Sequence, residues 1–162
     1  MKKRPLPADA HTAAEVLVAY ELRETSRLLL NALKREIEPH GITLTHYFLL
    51  RQLWDEEGIN QSELSERLAT TQPATVVTVD SLEKRGLIKR VRGTDDRRVV
   101  RIFLTAKGRT MRTTLLRYAY GISVAALDGM SAAEVVRLRA SLAAVRANLE
   151  RQYGEDAEGR GA

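Results

Sequence analysis

The sequence predicts a mainly α-helical fold carrying one small β-hairpin. Three observations support this. Apolar residues recur at spacings of three and four along most of the chain. The spacing changes to strict alternation near residues 87–104. A Ser, Thr or Asn precedes most of the helical stretches, where it can cap them. A length of 162 residues suits one domain or a compact pair of subdomains with a real core.

The elements follow in order. Residues 1–11, with Pro5 and Pro7, read as a flexible arm. A helix spans about 12–38, with Leu22, Leu29, Leu33 and Ile37 on one face, and Pro39 and Gly41 stop it. Thr45 is expected to cap a second helix over 46–57, with Phe48, Leu49, Leu53 and Trp54 facing inward and Gly58 at its end. "INQSELSERLAT" reads as a short helix capped by Asn60, with Glu63 completing a capping box and Leu64 and Leu68 inward.

"TQPATVVTVDSLEKRG" follows after a tight turn. Thr71 caps it, Pro73 fits its first turn, and Gly86 ends it. Its β-branched residues are poor helix formers, but Val76, Val79 and Leu82 fall on one face. "LIKRVRG" and "RVVRIFLT" alternate, with Val100, Ile102 and Leu104 sharing a face, and form the hairpin. Thr105 caps a helix to about Leu127, striped by Met111, Leu115, Tyr118, Ile122 and Ala125. Gly129 breaks it. Ser131 and Glu134 open a last helix striped by Val135, Leu138, Leu142, Val145 and Leu149. Residues 153–162 read as a disordered tail.

Charge is placed unevenly. The net charge is +5, but twelve Lys or Arg lie between Lys84 and Arg117, against only Asp95 and Asp96. There is no cysteine, which excludes disulfides, thiolate metal sites and thiol redox sensing. His11, His40 and His46 show no i,i+4 ligand spacing, so no metal or other cofactor is expected. No nucleophile elbow or Gly-rich phosphate loop is present, and the chain reads as a non-enzyme. The basic start lacks an apolar run, so a cytoplasmic protein without a membrane span is expected.

Residues 45–105 therefore form a helix-turn-helix followed by a wing, the order of a DNA-binding lobe. The second helix of such a pair presents its first turns to the major groove, here Thr71, Gln72, Ala74, Thr75 and Thr78. Gln pairs with adenine, and Thr bonds base edges or phosphate. The wing offers Arg92, Arg97, Arg98 and Arg101 to a groove of negative potential. Asp95 or Asp96 opposes them in charge, yet holds a neighbouring guanidinium in a fixed fork. An arginine oriented in advance loses less side-chain entropy on binding.

The wing resembles the signature of the MarR (multiple-antibiotic-resistance regulator) family, Asp-x-Arg, three residues, Arg or Leu, Ile or Val, x, Leu-Thr. Asp95, Arg97, Arg101, Ile102, Leu104 and Thr105 match it, and "LEKRGLIKR" is similar to the family's passage from recognition helix to first wing strand. The resemblance covers roughly residues 12–152. One departure is clear: Val76 and Val77 stand where members often carry Thr-Arg. That shifts the expected base contacts to Thr75, Thr78 and the wing.

The resemblance implies a winged helix-turn-helix held as a homodimer by the segments 12–44 and 106–152. The residues agree, because the stripes of the last two helices have little chain left to cover them. A two-fold dimer implies a pseudo-palindromic operator in double-stranded DNA. The resemblance also implies a repressor released by a small aromatic or phenolic effector. Tyr20, His46, Tyr47, Arg51 and Trp54 are the candidates for that site, the cations for a carboxylate and the rings for an aromatic wall. A protein–protein adaptor built on a winged helix is the alternative, since fold does not fix function.

Overall fold

The computed structural model describes residues 14–92 and 99–153. The expected arm, the wing tip with Asp95, Arg97 and Arg98, and the tail beyond Tyr153 lie outside the described residues. The chain divides into two compact units, one up to Ser123 and one from Val124 onward.

In the first unit, α1 runs Ala14–Ile37. Pro39 sits in a 3-10 turn, and Gly41, at φ +71°, closes it by donating to Glu38 O. Only a residue tolerant of the left-handed region fits there. The C-terminal half of α1 reaches the core through Leu33 and Ile37, while Val16, Leu17, Val18 and Tyr20 are exposed.

α2 spans Leu44–Asp55, two residues earlier than expected at both ends. Its cap is Thr43 rather than Thr45. The Thr43 hydroxyl accepts from His46 N at 3.2 Å, and His46 Nδ1 accepts from Thr43 N at 3.3 Å. That reciprocal pair sets the start of the helix. Its inner face is consequently His46, Tyr47, Leu49, Leu50, Leu53 and Trp54, and Phe48 is 40% exposed instead of inward.

A two-residue strand β1, Ile59–Asn60, precedes α3, Gln61–Arg67. Asn60 accepts from Glu63 N at 2.9 Å as the cap. The return half of the expected capping box is absent, because the Glu63 carboxylate goes to Arg67. α4 spans Gln72–Lys84 behind its Thr71 cap.

The strands β2, Ile88–Arg92, and β3, Val100–Leu104, form the expected antiparallel hairpin, with Arg90 opposite Ile102. β1 adds a third strand, giving the order β1-β3-β2, with Ile59 opposite Ile102. Two residues are too few for alternation to be visible in the sequence.

α5 spans Ala106–Ala126. Thr105 caps it, accepting from Gly108 N at 3.1 Å while its hydroxyl lies 2.7 Å from Gly86 O. Gly108 comes so close to the start of β2 that a Cβ there would stand 2.1 Å from Leu87 O. The core gathers α2, the helix pair, the sheet and Leu115 of α5 around fully buried Leu49, Leu50, Leu64, Leu82 and Ile102.

In the second unit, a turn through Gly129 leads to α6, Ala132–Tyr153. Ser131 and Glu134 make the expected reciprocal capping box. Their hydrogen bonds hold the Glu134 carboxyl below its usual range. α6 buries none of its residues, and Leu138, Leu142, Val145 and Leu149 all stand exposed along it. No described helix is long and apolar enough to cross a membrane.

Candidate nucleic-acid interface

α3 and α4 are joined by a short turn in which Ala69 takes φ +48°, a left-handed conformation uncommon outside Gly. The joint is locked by side chains. The Ser65 and Thr75 hydroxyls lie 2.9 Å apart, with Gln61 O and Thr71 O in reach of one or the other. Gln72 Nε2 donates to Ser62 Oγ at 3.3 Å. No buried side-chain nitrogen or oxygen lacks a partner among the described residues. This fixes α4 relative to α3, the condition for presenting one helix to a groove.

The structure changes which residues α4 presents. Thr75 and Thr78 are buried, at 1% and 7% exposure, and do not reach the surface expected of them. Their hydroxyls bond backward, Thr78 to Ala74 O at 2.9 Å. Such back-bonding lets a Thr face a core at little polar cost. Val76 and Val77 take the outer positions instead, Val77 at 68% exposure. Thr71, Gln72 and Ala74 are exposed as expected. The Thr71 hydroxyl is engaged as the cap, accepting from Ala74 N, and Gln72 is tied to Ser62.

Two carboxylates on α4, Asp80 and Glu83, would repel a polyanion. Arg90 of β2 pairs with both, at 2.5 Å each, and its backbone N–H donates to Glu83 Oε1. Its Nε also reaches Gln61 Oε1 at 3.4 Å, so one guanidinium links α3, α4 and the wing. Sequence reading missed this clamp, because its partners lie seven, ten and twenty-nine residues away. The basic run is accordingly not all outward-facing. Arg90 is consumed here, and Arg109 is paired in a fork with Glu57. Lys84, Arg85, Lys89 and Arg92 remain exposed with no carboxylate partner among the described residues. Arg101 is exposed, and it also braces the sheet by donating to Gly58 O at 2.8 Å.

The expected effector site is not assembled. Tyr47 and Trp54 are core rings packed edge-on at 6.1 Å, and Trp54 Nε1 donates to Gly108 O. Burial raises the Tyr47 hydroxyl's pKa. His46 serves the α2 cap; its burial, then the Arg85 charge, lower its pKa. Arg51 is exposed and pairs with Asp55, while Tyr20 lies on the exposed part of α1 beside Arg23. The four- and three-residue spacing puts Tyr47, Arg51 and Trp54 on one side of α2, yet only Tyr47 and Trp54 are buried and Arg51 is exposed at the edge of that side. A recess of about 340 Å³ beside Trp54 has Asp55, Glu56 and Glu57 against Arg109 and Arg112, a poor balance for an anion. A second, of about 390 Å³, is bounded by His40, Lys107, Thr110, Met111 and Thr114. His40 Nε2 lies 3.1 Å from the Tyr118 hydroxyl.

Comparison with known proteins places this geometry. A sequence model of the MarR family matches residues 42–100, the stretch from the loop before α2 into β3. The HTH-type transcriptional regulator TtmR of Methylorubrum extorquens is 32% identical over 115 residues, covering 71% of this chain and 58% of TtmR. The HTH-type transcriptional repressor MdtR of Bacillus subtilis is 33% identical over 98 residues, covering 56% of this chain and 63% of MdtR. The chain thus spans about three fifths of the length of either relative. Among solved structures, a MarR transcriptional regulator from Methanosarcina mazei Go1 superposes with a TM-score of 0.75. It is 26% identical and covers 82% of this chain and 95% of that one.

Proposed function

Because the chain is a member of the MarR family of winged-helix regulators, we propose that it binds a pseudo-palindromic operator as a homodimer and represses transcription there. The carrying observation is the pairing of exposure with charge around α4. The first turns of the helix are exposed. In the same lobe Lys84 and Arg85, at the other end of α4, and Lys89 and Arg92, on β2, are exposed with no carboxylate partner among the described residues, and Arg90 pairs with the carboxylates of Asp80 and Glu83. That is the electrostatic footprint of a phosphate-binding surface flanking a groove-reading helix. Within the wing, Arg92 and Arg101 join Arg97 and Arg98, with Asp95 or Asp96 as the orienting acid.

The homodimer is supported by α6, whose apolar stripe has no buried residue, and by the exposed apolar start of α1. Exposed apolar faces on two helices call for a partner chain. Repression is supported by the function that MdtR's name carries. Release by a small aromatic anion is assigned to the recess at His40 and Lys107. Its ammonium and imidazole suit a carboxylate, and Met111 suits a ring. Such a ligand acts only through a difference in its affinity for two arrangements of the dimer.

The test is a mobility shift of the purified chain on DNA from upstream of its own gene against a scrambled competitor, at two salt concentrations. Selective binding that weakens steeply with salt supports the reading. A failure to retain any DNA at low salt overturns it in favour of a winged-helix protein adaptor.

A further inference from the structure

The polar side chains on the first two turns of α4 are already engaged within the protein. The Thr71 hydroxyl accepts from Ala74 N, and the Gln72 amide donates to Ser62 Oγ. Thr75 is buried against Ser65, and Thr78 bonds Ala74 O. What remains facing outward is apolar. Pro73 and Val77, four residues apart, lie on one stripe, with Ala74 and Val76 flanking it. Val77 is 68% exposed and Val76 39%. Further along that side, Asp80 is neutralised by Arg90, so the ridge ends in a clamped ion pair rather than a free acceptor.

An apolar ridge on a helix, in a lobe that also exposes cations without a carboxylate partner among the described residues, has one complement in B-form DNA. Phosphates meet the exposed Lys84, Lys89 and Arg92. In the major groove the only apolar group on any base edge is the thymine C5-methyl. We propose that Val77, with Val76 and Ala74, selects the operator by packing against thymine methyls, so that this protein reads its half-site mainly by shape and methyl contact rather than by bidentate hydrogen bonds. The inference rests on the DNA-binding reading above and deepens it to the identity of the base feature recognised. It also gives the two valines, which replace a polar pair common in the family, a positive role.

The experiment starts with a binding site selected from a random-sequence pool by the full-length protein. Each thymine of the site is then replaced singly by deoxyuridine, which removes the C5-methyl and leaves the pairing edge and the charge intact. At least one thymine in each half-site should show a loss of roughly fourfold in affinity, the worth of one buried methyl group. For Val77→Ala, uridine and thymine at that position should bind with nearly equal affinity, while Val76→Ala removes a smaller part of the difference. Both valines are exposed, so neither change threatens folding. A site that tolerates uridine at every position overturns the inference and leaves DNA binding standing. So does a thymine preference that survives in both valine variants. If no sequence is enriched and no DNA is retained at low salt, the DNA-binding reading itself fails, and this inference with it.

Discussion

Replacing Gly108 by Ala should destabilise the DNA-binding lobe far more than its chemistry suggests. A Cβ at position 108 would stand 2.1 Å from Leu87 O and 3.2 Å from Leu104 Cδ2. The first is backbone at the entry to β2, so no side-chain rotation relieves it. α5 must move away by about 0.9 Å to reach even the 3.0 Å lower limit of real Cβ contacts. The displacement strains the bonds made at that joint, Trp54 Nε1 to Gly108 O at 3.3 Å and Thr105 Oγ1 to Gly86 O at 2.7 Å. Overpacking costs about 1–3 kcal/mol, and a weakened buried hydrogen bond adds about 1 kcal/mol. The helix-propensity gain of Gly→Ala returns about 0.5–1 kcal/mol. The net is a loss of about 1–3.5 kcal/mol, or roughly 2–14 °C in Tm for a chain of this size.

The same helix carries an internal control. Gly121 has nothing within 4 Å of its would-be Cβ, so Gly121→Ala should keep only the propensity gain and leave Tm unchanged or raised. Thermal and urea unfolding followed by circular dichroism measure both. A Gly108→Ala protein melting within about 1 °C of wild type would refute the close approach of α5 to β2 on which the argument rests.

Three further outcomes are expected. Arg90→Ala uncovers Asp80 and Glu83 beside the proposed DNA surface. It should lower operator affinity by about tenfold while costing only about 1 kcal/mol in stability, since all three groups are partly exposed. Adding Asp80→Asn and Glu83→Gln should restore most of the affinity, and a titration showing no recovery would reject the electrostatic explanation. His46 is held neutral, with its pKa lowered by burial and then by Arg85. The unfolded chain therefore takes up its proton first, and stability is complete above about pH 6.5 and falls as pH drops below it. The protonated ring also cannot accept from Thr43 N through Nδ1. His46→Gln should flatten the decline of Tm between pH 7.5 and 5.5; parallel curves for the two proteins would exclude His46 as its source. Leu142→Glu places a charge in the exposed apolar stripe of α6 and should convert the proposed homodimer to monomer at micromolar concentration. Sedimentation velocity reads this directly, and an unchanged sedimentation coefficient would move the interface elsewhere.

The sequence alone determined the helical order, the position of the hairpin, the caps at Asn60, Thr71, Thr105 and Ser131, and the family. Those features are local, carried by periodicity and by side chains that reach three residues, and such signals survive without knowledge of the fold. Tertiary structure decided what was shared between elements. The α4 pattern puts three valines within four residues, and hydrophobicity counted along the chain turned Val76 inward and left Thr75 and Thr78 outside. In the folded chain the two threonines lie inside, because Ser65, ten residues away, and the carbonyls of Thr71 and Ala74 satisfy their hydroxyls. The same holds for Arg90, whose clamp on Asp80 and Glu83 exists only once β2 folds back along α4. It holds also for the strand of Ile59 and Asn60, which exists only because β3 offers an edge to pair with. A β-branched residue with a hydroxyl is indifferent to inside and outside until a partner is placed beside it, and only the packed chain places that partner.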